Sequence, residues 1–451
     1  MKNPMTKTAL ASAALAAALN AGPWVPLFNG HDLSGWKQVA GNASYQVVDG
    51  AIVGTTVTGS PNSFLATERD YGDFILEFEV MQETANAQNG GVQFRSALRD
   101  DKGKPKVFGP QFEIDPAPRA WTGGIYDEAR RGWLYTGDLN PAGALSYKTG
   151  QWNRLRLEAV GNSLRTWVNG IPVASVVDDL AAPGFIALQV HSVPKDAQPA
   201  KTFWRNIRIQ TADLSPSPAE PSVFVRNLVP NSLSPDEQAA GWRLLWDGVS
   251  SNGWRGARKT AFPDRGWSIQ NGVLSINASG GAESKNAGDI VTDAEFSAFE
   301  LQFDFNFTPG ANSGVKYFVV EKLASIGGGG SAIGLEYQIL DDKKHPDAKL
   351  GRDGNRRLSG LYDLIAPDLS RVKGLAVIPR PNAWQHGRVI VRPDGSVEHW
   401  LNGVRTVAYK RGSDAFNALV AISKFKNTPG FGLAPKGRIL LQDHGDKVLF
   451  R

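Results

Sequence analysis

Phe299-Glu-Leu-Gln-Phe-Asp-Phe305 alternates large apolar side chains with polar ones. On an extended chain successive side chains point to opposite faces, so Phe299, Leu301, Phe303 and Phe305 share one face and Glu300, Gln302 and Asp304 the other. A helix would scatter that stripe around its circumference. The stretch therefore predicts a β-strand with one face in a core. A counterpart lies 225 residues earlier, Phe74-Ile-Leu-Glu-Phe-Glu-Val80. Working outward, Trp167-Val-Asn-Gly170 answers Trp400-Leu-Asn-Gly403, and Leu27-Phe-Asn-Gly-His-Asp-Leu-Ser-Gly-Trp36 answers Leu245-Trp-Asp-Gly-Val-Ser-Ser-Asn-Gly-Trp254. Asn-Gly between β-rich runs is a strong hairpin signal, so strands follow one another through tight turns. A unit of about two hundred residues is far longer than the ~20–50 of stacked repeats, which makes this a duplicated domain. Each copy is expected to be a β-sandwich.

The copies are expected at residues 23–213 and 233–451. Between them Leu214-Ser-Pro-Ser-Pro-Ala-Glu-Pro-Ser222 cannot hold a ladder, because proline lacks the donor, and 214–232 is taken as a linker. Ser234-Pro235-Asp236-Glu237 carries the signature of a capped helix start, so a short helix should run to Ala240 before the second sandwich. Val448-Leu-Phe-Arg451 stops four residues short of the end of its counterpart Phe203–Ile209, so the closing strand of the second copy is expected to be curtailed.

Lys2 and Lys7, the apolar run Thr8 to Leu19 and small residues around Ala21 have the order of a secretory signal peptide over residues 1–21. The expected protein is exported, periplasmic or secreted, without a membrane span. The formal net charge of +5 is small and scattered, which speaks against nucleic acid as a partner. There is no cysteine, so disulfides, thiol catalysis and Cys-ligated zinc are excluded, and any metal must use His and carboxylates.

Polar pairs recur where a strand should be. Pro110-Gln-Phe-Glu-Ile114 aligns with Leu335-Glu-Tyr-Gln-Ile339, so Gln111 and Glu113, and Glu336 and Gln338, lie opposite the aromatics Phe112 and Tyr337. Each copy thus presents one carboxylate and one amide on a sheet face, either as a sugar-binding floor or as a solvated strand face. Gln189-Val-His191 and Gln442-Asp-His444 are the second shared pair, open to a catalytic or a structural role. The first copy adds a loop from Trp121 to Tyr135 holding Tyr126, Glu128, Arg131 and Trp133, which suits a glycan because aromatic faces stack on sugar C–H surfaces while charged groups bond hydroxyls. The second copy holds four of the six histidines, His345, His386, His399 and His444, beside the turn Asp341-Asp342. That set could take a divalent cation or move protons.

Taken in order, these motifs resemble two tandem copies of the 3-keto-disaccharide hydrolase family. The resemblance rests on Leu27 to Trp36, Gly109 to Asp115, Gly123-Gly-Ile-Tyr126 and Gln189 to Ser192, and on Gly334 to Asp341, His345-Pro-Asp-Ala348, Gly360-Leu-Tyr-Asp-Leu-Ile365, Val397 to Gly403 and Leu441-Gln-Asp-His-Gly445. It implies a concanavalin A-like jelly roll in each copy and cleavage of an oligosaccharide or glycoside oxidised to a ketone at C3. The ketone acidifies C2–H, so a base and a cationic group at the ketone oxygen are required. In the second copy the resemblance points to His345 or His399 as base, with His444 and Glu336 as metal ligands or enolate stabilisers. In the first it points to Glu113 and His191 for proton transfer and Arg131 as electrophile. Gln111, Trp121, Tyr126, Glu128, Trp133, Gln189, Gln338, Tyr362 and Gln442 complete the expected substrate contacts. A bound cation, ligated from Glu336, His345, His399 and His444, is the cofactor so implied. The rival enzyme is an ordinary glucanase, for which Glu113-Ile-Asp115 opens a Glu-x-Asp-x-Glu strand that Ala117 interrupts. The other class is a sugar-binding module without catalysis.

Overall fold

The computed structural model describes residues 22–451 except 85–86, 117, 181–182, 281–286, 324–330 and 371–378. The leader lies outside the described residues. The chain divides into two compact units, Met1–Val229 with Leu233–Trp242, and Pro230–Ser232 with Arg243–Arg451.

Each unit is two antiparallel sheets laid face to face. In the first, the back sheet runs in spatial order Ile171–Val177, Ser163–Val168, Asn153–Val160, Phe74–Gln82, Lys201–Gln210, Ala51–Thr55 and Ser44–Val48, with Val25–Pro26 beside Lys201–Gln210. The front sheet runs Gly132–Tyr135, Ile125–Glu128, Pro105–Ile114, Gly90–Asp100, Gly184–Val190, Ser63–Tyr71 and Trp36–Ala40. The second unit repeats the back-sheet order with Val404–Lys410, Ser396–Leu401, Gln385–Val391, Phe299–Phe307, Val448–Phe450, Val273–Ile276 and Trp267–Gln270. Its front sheet is Leu335–Leu340, Asn312–Val319, Arg438–Leu441, Ile290–Thr292 and Trp254–Gly256. Val448–Phe450 spans three residues where Lys201–Gln210 spans ten, and it occupies the same place between two neighbours.

The strand Phe299–Phe307 does what its pattern requires. Phe303 crosses to Tyr337 of the front sheet at 5.3 Å, edge to face, and its counterpart Phe78 meets Phe112 at 5.8 Å. Such pairs add about 0.5–1.5 kcal/mol beyond their buried area and fix how the sheets stack. The Asn-Gly turns have positive φ at both residues, 52° and 79° at Asn169 and Gly170 and 51° and 81° at Asn402 and Gly403. That backbone matches the twist of the flanking strands. The repeated Leu…Trp motif is a closed loop: the Trp36 indole donates to Leu27 O at 3.0 Å, and the Trp254 indole to Leu245 O at 2.9 Å.

Residues between the copies are more ordered than a linker. Val225–Asn227 adds a parallel strand beside Ile171–Val177. The helix spans Pro235–Ala239 with the reciprocal Ser234–Glu237 capping box that its sequence predicts. It belongs to the first unit, where Asp236 pairs with Arg165. A longer helix, Asp414–Ala421, lies between the strands Val404–Lys410 and Arg438–Leu441, whereas in the first copy six residues join Ile171–Val177 to Gly184–Val190.

Candidate functional site

Alternation along Pro105–Ile114 sends Phe112 and Ile114 into the core and leaves Gln111 and Glu113 on the outer face of the front sheet, both buried. Cross-strand register sets Glu113, Gly91 and Gln189 in one row and Tyr126, Gln111, Gln93 and Ala187 in the next. Gly91 is required by space, since a Cβ there would overlap the Gln111 carboxamide. Asn89 and Gln111 each donate an amide N–H to Glu113, the latter at 2.7 Å. Burial nevertheless pushes the Glu113 carboxyl up to about 7, against the pull of those two bonds and with the Asp115 charge adding to the rise. The Gln189 Oε1 is buried with no partner. The strand that carries Gln189 ends at Val190, so His191 lies just beyond it, and His191 Nδ1 meets Ser192 O at 2.8 Å.

Above this floor stands a residue that the sequence reading missed. Arg119 Nη2 lies 3.8 Å from Glu113 Oε1, and its guanidinium also bonds Asp115. The same group lies 4.9 Å from the Trp121 ring and 5.0 Å from Trp133. Trp121 is buried and packs edge-on against the half-buried Trp133 at 4.8 Å, so Trp133 is the exposed part of the wall and Trp121 its support. Tyr126 closes the wall 5.3 Å from Trp133, its hydroxyl pushed up to about 12 by burial and by neighbouring carboxylates. Glu128 lies on the same strand face, its carboxyl likewise raised by burial. Arg119 sits in an irregular stretch between strands, where no period reveals it.

Arg131 is elsewhere engaged. It bonds buried Asp127 through Nε and buried Asp178 through Nη1 and Nη2, at 2.9 and 2.7 Å. Arg130 joins Asp127 as well. These ion pairs tie the hairpin Ile125–Tyr135 to the chain after Val177, so the cation facing Glu113 is Arg119 and the expected electrophile at Arg131 is a tether.

The second copy presents the same face with the carboxylate and amide exchanged. Glu336 and Gln338 lie on it, with Lys316 opposite Glu336 where the first copy has Gln93, and Asn312 where it has Asn89. Gly314 again makes room, here for Glu336. Gln442 donates its backbone N–H to Gly314 O, as register requires of the counterpart of Gln189. Tyr362, the counterpart of Tyr126, donates its hydroxyl to Asp347 at 2.8 Å and lies under Arg356 and Lys424. His345 and His444 meet with ring centroids 6.2 Å apart, and burial followed by the His444 charge lowers the His345 pKa. Nδ1 of His345 is already spent, accepting from Asp347 N at 3.1 Å.

His399 lies in the core between the sheets, wholly buried among Tyr317, Tyr337 and Tyr409. Its Nδ1 donates to Ser359 O at 3.0 Å, which leaves Nε2 to accept from Tyr317 at 2.7 Å. Thr166 makes the matching bond to Gly123 O in the first copy, so both side chains plug one turn carbonyl. This removes His399 from the candidate bases and from the candidate metal ligands. Among the described residues no three His, Asp or Glu side chains form a metal-binding group, and the set Glu336, His345, His399 and His444 does not fit a cation. Burial lowers the His399 pKa from 6.5 to about 4. A depressed histidine contributes stability that is complete above 6.5 and lost as pH falls towards 4, so the second unit should lose about 3 kcal/mol over that window. Thermal melts of His399→Phe and wild type at pH 7 and 4.5 check this: the variant should lose His399's share of the dependence and melt less far apart at the two pH values than wild type.

Among proteins of known description, a 3-keto-disaccharide hydrolase from Bacteroides thetaiotaomicron is 32% identical over 240 residues, 49% of this chain and 80% of that protein. A solved candidate glycosyl hydrolase from Parabacteroides distasonis is 27% identical, covering 49% of this chain and 95% of its own with a TM-score of 0.40. A carbohydrate binding module from Bacillus subtilis is 16% identical, over 41% and 99%, with a TM-score of 0.30. The family described as 3-keto-alpha-glucoside-1,2-lyase-like domain matches residues 23–210 and again 241–451. With nearly all of both sandwiches so covered, the chain belongs to the 3-keto-alpha-glucoside-1,2-lyase-like family, which it carries twice.

Proposed function

We propose that the first copy cleaves 3-keto-glycosides by elimination, with Glu113 as the base and Arg119 as the cation at the ketone oxygen. The observation that carries this is one buried carboxyl, raised to about 7 and 3.8 Å from an arginine that also spans two tryptophans. A base of that affinity is half ionised near neutral pH and holds a proton well enough to return it. In the first step the C2–H proton passes to Glu113 and the C–H electrons form an enolate whose oxygen faces Arg119. The enolate then re-forms the ketone and expels the C1 oxygen, which takes the proton back from Glu113. The aglycone leaves as an alcohol, and water can add to the unsaturated sugar. Trp133 supplies a face for the sugar ring. Release of a chromogenic aglycone from a 3-keto-glucoside tests the reading. A protein that bound the glycoside and released nothing would be a binding module instead.

Export belongs to the same reading, supported by the order of charge, apolar run and small residues in 1–21. Mass spectrometry of the exported protein is expected to find an N-terminus near Gly22; an exported form beginning at Met1 would refute it.

A further inference from the structure

Four buried side chains lie in a line across the front sheet of the first copy: Ser96, Gln93, Gln111 and Glu113. In one register every bond runs towards the carboxylate. Ser96 Oγ donates to Gln93 Oε1 at 2.8 Å, Gln93 Nε2 to Gln111 Oε1 at 2.7 Å, and Gln111 Nε2 to Glu113 Oε2 at 2.7 Å. This register suits ionised Glu113, but it sets Gln93 Oε1 against two other acceptors, Gly109 O at 3.2 Å and Pro110 O at 3.0 Å. The same positions admit the reverse. With Gln93 turned over, its nitrogen donates to Gly109 O, Pro110 O and Ser96 Oγ, and Ser96 retains Phe94 O as acceptor at 3.0 Å. Gln93 oxygen then faces Gln111, which must turn as well and present its own oxygen to Glu113. Two oxygens at that distance need a proton between them, and only Glu113 can supply it.

We propose that Gln93 and Gln111 form a reversing amide relay, in which the proton on Glu113 Oε2 fixes the direction of every hydrogen bond in the row and the Gly109 and Pro110 carbonyls favour the protonated register. The relay deepens the reading of Glu113 as base and rests on it only for its part in turnover. The charged or titratable groups facing Glu113 are Asp115 and Arg119 beyond its own strand and Tyr126 from the neighbouring one. None of them touches the two carbonyls. The second copy provides an internal contrast, since Lys316, which can only donate, replaces Gln93 and the carboxylate stands at Glu336.

The test is a carboxyl-carbon NMR titration of Glu113 in the full chain, assigned by loss of the signal in Glu113→Gln. Gln93→Leu removes the amide and the conflict it suffers in the ionised register, so the Glu113 titration should move down by at least about one unit, tenfold in proton affinity. Gln93→Lys, which bonds the carbonyls and the Gln111 oxygen as a donor, should move it at least as far. The acid limb of the pH–rate profile should follow in both variants, a displacement that loss of packing alone would not produce. An unmoved Glu113 titration in either folded variant overturns the relay. If Glu113→Gln retains turnover, the base assignment fails while the titration still decides the relay.

Discussion

Replacing Glu113 by Gln is expected to lower aglycone release about a thousandfold and leave the first unit as stable as before, or more so. The loss follows from removing the carboxylate that takes the C2 proton, since positioned acid–base groups are worth roughly 10²–10⁴. The gain follows from burial. Glu113 has a folded pKa of about 7 against 4.5 in free solution, so its contribution to stability is present below 4.5 and is lost as pH rises through 7. Over that interval the protein gives up about 3 kcal/mol to keep a buried carboxylate. Gln keeps the shape and the amide neighbours without the charge, so above pH 7 the variant should melt higher than wild type. In the wild type the rate should rise with pH and level off above about 7, because the base must be ionised. Rate and melting temperature on one preparation separate a catalytic Glu113 from a structural one: a large fall in melting temperature with turnover per folded molecule intact would overturn the assignment.

Arg131→Ala should do the opposite, costing about 3–5 kcal/mol of stability while turnover per folded molecule changes little. Both partners, Asp127 and Asp178, are buried, and removing the arginine leaves Asp178 without its bidentate cation. Burial drives the Asp178 carboxyl up, but the bonds and charge of Arg131 outweigh it and hold the group below the usual carboxylate value. In a unit of this size the loss corresponds to a drop of about 10 °C in melting temperature. Arg119→Ala provides the comparison, since its loss bears on the enolate and not on a tether. Equal turnover loss in the two variants at unchanged stability would show that Arg131 acts at the site.

What the sequence disclosed is what periodicity can encode. Alternation around Phe112 and Tyr337 placed the polar pairs on one face, and the structure holds both aromatics in the core. His399 was open to the same logic: it shares parity with Val397 and Leu401, both buried, so its strand already assigned it to the core face. Its parity with those neighbours, and not its chemistry, decides its place. Arg119 and the Asp127–Arg131–Asp178 tether could not be read, because Arg119 and Arg131 stand outside the strands, where no period places a side chain, and Asp178 lies 47 residues from Arg131. The order of Val225–Asn227 was hidden by the prolines before it, which forbid a ladder only where they stand.

One backbone feature recurs at Arg95 and Phe318, both with φ near +50°. Each marks one extra residue in an inner strand of a front sheet, between Gln93 and Ala97 in the first copy and Lys316 and Val319 in the second. An odd residue turns the rest of a strand over, so adding or deleting one between the polar row and this point would present core side chains to the site. Side-chain identity there is free to drift, as Gln93 against Lys316 shows, whereas spacing is not: Asn89 to Arg95 and Asn312 to Phe318 span equal lengths. The strand behaves as a ruler of fixed length with interchangeable marks. New chemistry on this scaffold can arise by exchanging one residue for another along it, and the loops at its ends are left to absorb every change in length.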